Sequence, residues 1–176
     1  MTIPNYITIF RFFLVPLVLF AIFNGQMGLA LAGFVLAGLS DGVDGYIARR
    51  FNQRSELGAY LDPVADKILL VSIFVTFGYL GGLPLWLVYL VVSRDVMIVG
   101  AVILSTIIGN PVKMAPLFIS KANTTVQILL AGFVLADLAL GLNLQLIQTG
   151  LIWLTALLTG LSATAYLVQW MRHMAG

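Results

Sequence analysis

The chain has 176 residues, of which 61% are hydrophobic and only 9% charged, and its formal net charge is +2. A composition this apolar, with a mean hydropathy of +1.05, excludes an ordinary water-soluble domain of the same length. Nine Lys and Arg residues are too few for a nucleic-acid-binding surface. The absence of cysteine excludes disulfides and thiolate metal sites.

Six apolar stretches follow one another along the chain, each long enough for a bilayer crossing of about 20 residues. In chain order we predict helices over Tyr6–Asn24, Gly28–Arg50, Ser55–Leu80, Pro84–Ile108, Pro116–Leu140 and Asn143–His173. The connections are short and rich in turn residues: Asn24-Gly25, Gly81-Gly82, Gly109-Asn110-Pro111 and Gly141. The predicted fold class is therefore an all-α, polytopic integral membrane protein with six transmembrane helices in one domain over residues 1–176.

The basic residues predict the orientation of these helices. They lie near the amino end, at the second and fourth turnarounds and near the carboxyl end: Arg11, Arg49, Arg50, Arg54, Lys113, Lys121 and Arg172. Because positive residues favour the cytoplasmic side, we expect both termini there. The first stretch lacks a convincing cleavage site after it and reads as a retained helix. The short amino end, without a transit segment, favours a bacterial inner membrane.

Four aspartates between positions 41 and 66 interrupt the apolar sequence in a regular order. The run reads Asp41-x-x-Asp44-Gly45-x-x-Ala48-Arg49, then eight residues, then Gly58-x-x-x-Asp62-x-x-x-Asp66. Ionised groups at membrane depth cost about 2.5–3.5 kcal/mol each on insertion scales, so they are retained where a partner compensates their charge. Clustered carboxylates favour a divalent metal ion, and a metal beside an arginine favours a phosphate-bearing substrate.

Helical spacing brings these carboxylates together. Asp-Gly pairs usually favour turns, but here they end a long apolar run, so we predict that the second helix continues through them. Asp41 and Asp44 then share one face of that helix, and Asp62 and Asp66 share one face of the next. Because the two helices are predicted to be antiparallel neighbours, all four carboxylates can meet at one depth. Such oxygen ligands suit magnesium or manganese, and two ions about 4 Å apart could serve an in-line displacement.

Small residues beside the acids leave room for a substrate. The spacing Gly38-x-x-x-Gly42 favours close helix approach. Gly45, Ala48 and Gly58 would leave a wall without side chains, against which a flat base or a diphosphate can lie. Arg49 stands at the rim, where a guanidinium can bind phosphate oxygens bidentately.

Two alternatives lead to other classes of protein. The acids could pair with nearby basic residues in a solvated loop, which explains one or two of them but not four at matching depth. They could instead form a proton or cation relay in a transporter. Their position near one membrane face beside Arg49, with no matching broken helix in the second half, counts against a transporter. A structural or assembly protein would have no need of four costly carboxylates.

The acidic run resembles the signature of the CDP-alcohol phosphotransferases, integral membrane enzymes of phospholipid synthesis. Every fixed position of that signature is present, with both spacings intact. The resemblance implies a CDP-linked donor, a hydroxyl acceptor, dependence on a divalent metal, CMP as leaving group, and usually a homodimer. It implies that the metal carboxylates are Asp41, Asp44, Asp62 and Asp66. Of these, Asp62 and Asp66 would be catalytic, with Asp66 as general base. The donor would be bound by Asp41, Asp44, Gly45, Ala48, Arg49 and Gly58.

Two later segments resemble the CDP-diacylglycerol-dependent cardiolipin synthase branch of that family. They are Ser93-Arg94-Asp95-Val96-Met97 and Phe118-Ile119-Ser120-Lys121-x-Asn123-Thr124-x-x-Gln127. The phosphatidylglycerophosphate synthase branch usually carries more charged residues in the fourth helix and a second lysine where Asn123 stands. Glycerol-3-phosphate is small and doubly anionic and needs several cations, whereas phosphatidylglycerol has one phosphodiester charge. The resemblance thus favours CDP-diacylglycerol and phosphatidylglycerol as substrates, with glycerol-3-phosphate as the main alternative and inositol phosphate or serine behind it.

Several polar residues outside the run are candidates for the acceptor site: Arg94, Lys121, Asn123 and Arg11. Lys121 could equally be an ordinary cytoplasmic-side charge, and Arg11 could snorkel to the interface. Since adjacent residues point about 100° apart, we predict separate partners for Arg94 and Asp95. The stripe Ser120, Thr124 and Gln127 could line the acceptor cavity or form interhelical hydrogen bonds. Residues expected to meet water or lipid are Asp137, His173, Trp86, Trp153 and Trp170.

Overall fold

A computed structural model describes the backbone of residues 3–50, 56–108 and 118–175 and the side chains of residues 7–43, 65–108 and 118–174. Within these ranges the chain forms helices and no strand. The helices are α1 (Ile3–Phe23), α2 (Met27–Arg50), α3 (Glu56–Leu80), α4 (Leu85–Ile107), α5 (Phe118–Leu140) and α6 (Gln145–Ala175). All six predicted helices are confirmed, and their ends differ from the predicted ones by three residues at most. The turn predicted at 109–111 and Lys113 lie outside the described residues.

Helix α2 continues through both Asp-Gly pairs to Arg50, as the sequence predicts. The apolar run that precedes the pairs supplies a long helical segment. Extending a helix that already exists is far easier than nucleating a new one. The continuity matters for the site because Asp41 and Asp44 are therefore held on a regular helix rather than on a loop.

The connection between α1 and α2 closes through a glycine in the left-handed region. Gly25 has φ 69°, its N–H donates to Ile22 O at 3.0 Å, and the N–H of Gln26 donates to Ala21 O at 2.8 Å. This pair of bonds satisfies the last carbonyls of α1 in the pattern of a Schellman motif. The predicted turn at Asn24-Gly25 is confirmed, and it follows directly from the conformational freedom of glycine.

Asp137 shows that one expectation was wrong. The sequence predicts that this residue simply meets water, but its Oδ1 accepts the backbone N–H of Leu144 at 2.9 Å. Gly141 has φ 65° and its N–H donates to Asp137 O at 2.8 Å. The carboxylate therefore stabilises the turn that follows α5.

Three of the described helices, α4, α5 and α6, are long and apolar enough to cross a membrane. Only 22%, 33% and 22% of their most apolar windows are buried inside the chain, so large side chains face outward. Outward apolar surface of this extent suits a lipid environment. The described segments 7–23 and 27–43 of α1 and α2 are apolar but shorter.

The chain forms two compact units. The first contains residues 1–77 and 131–144, and α1 packs on α2 within it. A Cβ added at Gly33 would lie 2.7 Å from Val18 Cγ2, and Val18 is fully buried. The close approach is therefore at Gly33. The sequence places it at Gly38 and Gly42, where an added Cβ would meet none of the described atoms within 4 Å.

The second unit contains residues 78–130 and 145–176, and α4 packs on α6 within it. The buried side of α4 carries Leu87, Val88 and Val91. The rings of Trp86 and Trp153 meet with centroids 5.5 Å apart, although both side chains keep more than 40% of their surface exposed. These two tryptophans thus combine an outward position, as the sequence predicts, with a contact between α4 and α6.

Candidate active site

Within the first unit, Arg11 joins two of the four aspartates of the acidic run. Arg11 Nη1 donates to Asp41 Oδ1 at 2.9 Å and to Asp66 Oδ1 at 2.5 Å. The three residues come from α1, α2 and α3 and are 30 to 55 positions apart in sequence. Two carboxylates of the run therefore converge on one point of the first unit.

Burial differs sharply across this cluster. The Arg11 side chain is fully buried, whereas those of Asp41 and Asp66 are 47% and 39% exposed. Thr8, one turn earlier on α1, and Ala65, beside Asp66, are also fully buried. The guanidinium thus reaches the carboxylates from the protein side, and their other side stays open to an incoming ligand.

The donor chemistry of the cluster fits a hard divalent cation. Asp41 and Asp66 offer carboxylate oxygens, the ligands that magnesium and manganese prefer. One guanidinium carries a single positive charge, so the two carboxylates and Arg11 together keep one excess negative charge when both acids are ionised.

The other motif residues lie on the same two helices. Asp44, Gly45, Ala48 and Arg49 belong to α2, and Gly58 and Asp62 belong to α3. Their side chains are outside the described part of the chain, so their predicted roles stay predictions. The structure brings Asp41 and Asp66 together, and it adds Arg11 as a direct contact of both.

A second polar centre lies in the second unit around Arg94 of α4, which is 95% buried. Its Nη2 donates to Ser120 Oγ at 2.5 Å and to Ser162 Oγ at 2.7 Å, and its Nε donates to Ser162 Oγ at 3.2 Å. The Tyr166 ring lies 5.7 Å from its Cζ. The same tyrosine lines an apolar cavity of about 200 Å³ together with Met97 and Trp170.

The expectation that Arg94 and Asp95 have separate partners was wrong. Arg94 Nη1 donates to Asp95 Oδ1 at 2.6 Å. The directions of adjacent Cβ atoms do make a short-range pair awkward, but the long arginine side chain reaches back around the helix to its neighbour. Each of the three guanidinium nitrogens of Arg94 therefore has a partner inside the protein, and its predicted contact with an acceptor phosphate would require some of these bonds to break.

A hydrogen bond joins α5 and α6 near Arg94, among further buried polar residues of both helices. Thr159 Oγ1 donates to Asn123 Oδ1 at 3.0 Å, and both side chains are fully buried. Asn123 Nδ2, Gln127 Nε2 and Thr155 Oγ1 are buried with no hydrogen-bond partner among the described residues. Asn123, another acceptor candidate, thus lies on a buried polar seam between the two helices. Lys121, by contrast, is exposed.

The seam residues of α6 were not predicted from the sequence. Thr155, Thr159 and Ser162 recur at helical spacing within a long apolar helix and are fully buried. That spacing is visible in the sequence and places the three on one face. Trp170, which the sequence predicts at a lipid-facing or interfacial position, is half-buried, and its Nε1 donates to Ser105 Oγ at 2.8 Å.

Comparison with known protein families accounts for the acidic run. Residues 1–161 match the model of the CDP-alcohol phosphatidyltransferase family. The match covers the cluster of Arg11, Asp41 and Asp66 and the seam between α5 and α6 as far as Thr159. The chain therefore belongs to the CDP-alcohol phosphatidyltransferase family. Members of this family generally depend on a divalent metal ion.

Individual relatives show which members of the family this chain resembles. A human protein named cardiolipin synthase (CMP-forming) is 40% identical over 151 residues, covering 77% of this chain and 50% of the relative. A Drosophila melanogaster protein named probable cardiolipin synthase (CMP-forming) is 36% identical over 190 residues, covering 98% of this chain and 58% of the relative. A Streptomyces coelicolor protein with the first of these names is 39% identical over 104 residues, covering 56% and 48%. The chain thus spans about half the length of the relatives it matches.

Proposed function

We propose that this chain is a cardiolipin synthase that transfers the phosphatidyl group of CDP-diacylglycerol to phosphatidylglycerol and releases CMP. The main support is that relatives at 36–40% identity carry that name. The convergence of Asp41 and Asp66 supports the proposal independently. The first and last aspartates of the signature both contact the buried Arg11 and are themselves partly exposed.

The acidic run supplies the donor site in this proposal. Asp41, Asp44, Asp62 and Asp66 would hold the divalent metal, Mg²⁺ or Mn²⁺, as two ions. When bound, the metal would neutralise the diphosphate and the departing CMP. Gly45, Ala48 and Gly58 would let the cytidine and the diphosphate approach the backbone, and Arg49 would bind a donor phosphate.

The reaction is a displacement at phosphorus. A hydroxyl oxygen of phosphatidylglycerol forms a new bond to the phosphorus of the phosphatidyl group. The bond from that phosphorus to the oxygen of CMP breaks, and CMP leaves with the electron pair. Asp66, with Asp62 beside it on the same helix, would accept the hydroxyl proton as general base. The exposure of Asp66 is consistent with such access.

The acceptor proposal is supported by the second polar centre. Arg94 supplies a single cation, and Tyr166 beside it lines an apolar cavity. One cation and an apolar space suit a lipid with one phosphodiester charge, and to bind that charge Arg94 would exchange some of its bonds to Asp95, Ser120 and Ser162. Asn123 is neutral, so this seam has fewer cations than a doubly anionic acceptor would need. Glycerol-3-phosphate, which would make the protein a phosphatidylglycerophosphate synthase, remains the alternative acceptor.

The membrane topology, the location and the oligomeric state are part of the same proposal. All six helices would cross the membrane as one domain, both termini and the acidic site would face the cytoplasm, and the chain would form a homodimer. The placement of basic residues supports this orientation. The proposed membrane is a bacterial inner membrane.

Product analysis tests the proposal directly. Purified protein is incubated with labelled CDP-diacylglycerol and Mg²⁺, and phosphatidylglycerol or glycerol-3-phosphate is added in separate tubes. We expect CMP and a four-chain lipid with phosphatidylglycerol alone, and neither with the Asp41→Asn variant. Product with glycerol-3-phosphate alone would refute the acceptor and keep the donor. Absence of CMP release in both tubes would refute both acceptors and lead to the other candidates, beginning with inositol phosphate; a cation or proton transporter would release no CMP with any acceptor.

A further inference from the structure

One nitrogen of Arg11 lies at the point where Asp41 and Asp66 converge. Its Nη1 is 2.9 Å from one Oδ1 and 2.5 Å from the other. Magnesium binds carboxylate oxygens at about 2.0–2.1 Å. An ion bound to the same two oxygens would therefore take up the volume that Nη1 fills.

We infer that Arg11 is a resident counter-cation that holds Asp41 and Asp66 together in the metal-free protein and leaves them when a divalent ion binds. This inference rests on the proposed metal role of the two aspartates. It assigns Arg11 a role in setting the metal affinity of the site by direct competition, instead of a role in contacting the acceptor.

Charge explains why the two cations exclude each other. Cations that share the same oxygens lie within about 4 Å of each other, where their repulsion is strong even near a protein surface. Arg11 and a metal ion therefore do not share these two carboxylate oxygens.

Burial indicates how the exchange would occur. Asp41 and Asp66 are 47% and 39% exposed, whereas the Arg11 side chain is fully buried. A metal ion would enter from the exposed side of the carboxylates, and the guanidinium would withdraw. The flexible arginine side chain allows that movement without displacement of α1.

Direct metal binding tests the exchange. The dissociation constant of Mn²⁺, measured by electron paramagnetic resonance, should fall by about tenfold or more in Arg11→Met because a competing charge is lost. The matched control Arg172→Met should bind Mn²⁺ as the wild type does. Unchanged or weaker binding in Arg11→Met would overturn the inference, since a purely structural arginine would not oppose the metal.

The Asp41→Asn variant distinguishes failure of this inference from failure of the proposed metal role of the aspartates. If Asp41→Asn weakens Mn²⁺ binding while Arg11→Met does not tighten it, the metal role stands and only the competition by Arg11 is refuted. If Asp41→Asn binds Mn²⁺ as tightly as the wild type, the metal role of the aspartate fails, and the role of Arg11 fails with it.

Discussion

Replacement of Arg94 by methionine should destabilise the protein strongly. The substitution keeps an unbranched apolar stem but removes the guanidinium, and with it the bonds to Asp95, Ser120 and Ser162. The Asp95 side chain is only 13% exposed, so little water is available to replace the lost partner. The variant therefore leaves a largely buried carboxylate without its arginine.

The expected magnitude follows from that burial. Removing one partner of a buried ion pair costs about 3–5 kcal/mol, because the remaining charge stays desolvated. The lost contact with the Tyr166 ring, 5.7 Å from the Arg94 Cζ, adds about 0.5–2 kcal/mol, although such terms do not simply add. On the scale of globular proteins of this size, a loss of 3–5 kcal/mol lowers the Tm by roughly 6–20 °C.

Thermal unfolding in mild detergent, followed by circular dichroism, measures this effect. The double variant Arg94→Met with Asp95→Asn should recover a substantial part of the loss, because it removes the carboxylate charge that no longer faces Arg94. Arg172→Met, at an exposed position of α6, is the control and should stay within about 0.5 kcal/mol of the wild type. If Arg94→Met kept the wild-type Tm while the KM for the lipid acceptor rose, the reasoning would be refuted and Arg94 would be an acceptor ligand.

Two further predictions concern the first unit. Gly33→Ala should cost about 1–3 kcal/mol by overpacking, since the new Cβ would lie 2.7 Å from Val18 Cγ2. Gly38→Ala, where no described atom lies within 4 Å of the new Cβ, should be neutral or stabilise by up to about 1 kcal/mol, and equal Tm values for the two variants would contradict this packing. Asp66→Asn should abolish CMP release while CDP-diacylglycerol still binds, which a binding titration beside a turnover assay can check; retained turnover would exclude Asp66 as the general base.

Much of the local structure could be predicted from the sequence because it depends on neighbours in the chain. The apolar stretches and the glycine turns predicted six helices with ends close to the observed ones. Helix α2 passes through Asp41-Gly42 as expected, since a long helical segment precedes the pair. The spacing of the acidic run was also sufficient to indicate the family, to which the chain belongs.

Other contacts could not be predicted because they depend on which helix faces meet. The sequence left Arg11 with two alternatives, the site rim or the membrane interface, and the tertiary structure directs it to Asp41 and Asp66. The seam residue Thr159 has no conspicuous role until α6 packs against Asn123 of α5. In each case the partners are tens of residues apart.

Sequence by itself thus determined the helices, the turns and the order of the catalytic signature, because helical periodicity and glycine conformations are local properties. Only the tertiary structure decided the partners of the buried cations. Arg11 lies between two signature aspartates, and Arg94 lies among Asp95, Ser120 and Ser162. The physical reason is that a buried charge must find its compensation wherever packing places an acceptor. Spacing along one helix defines the face a residue occupies but not the side chain it meets.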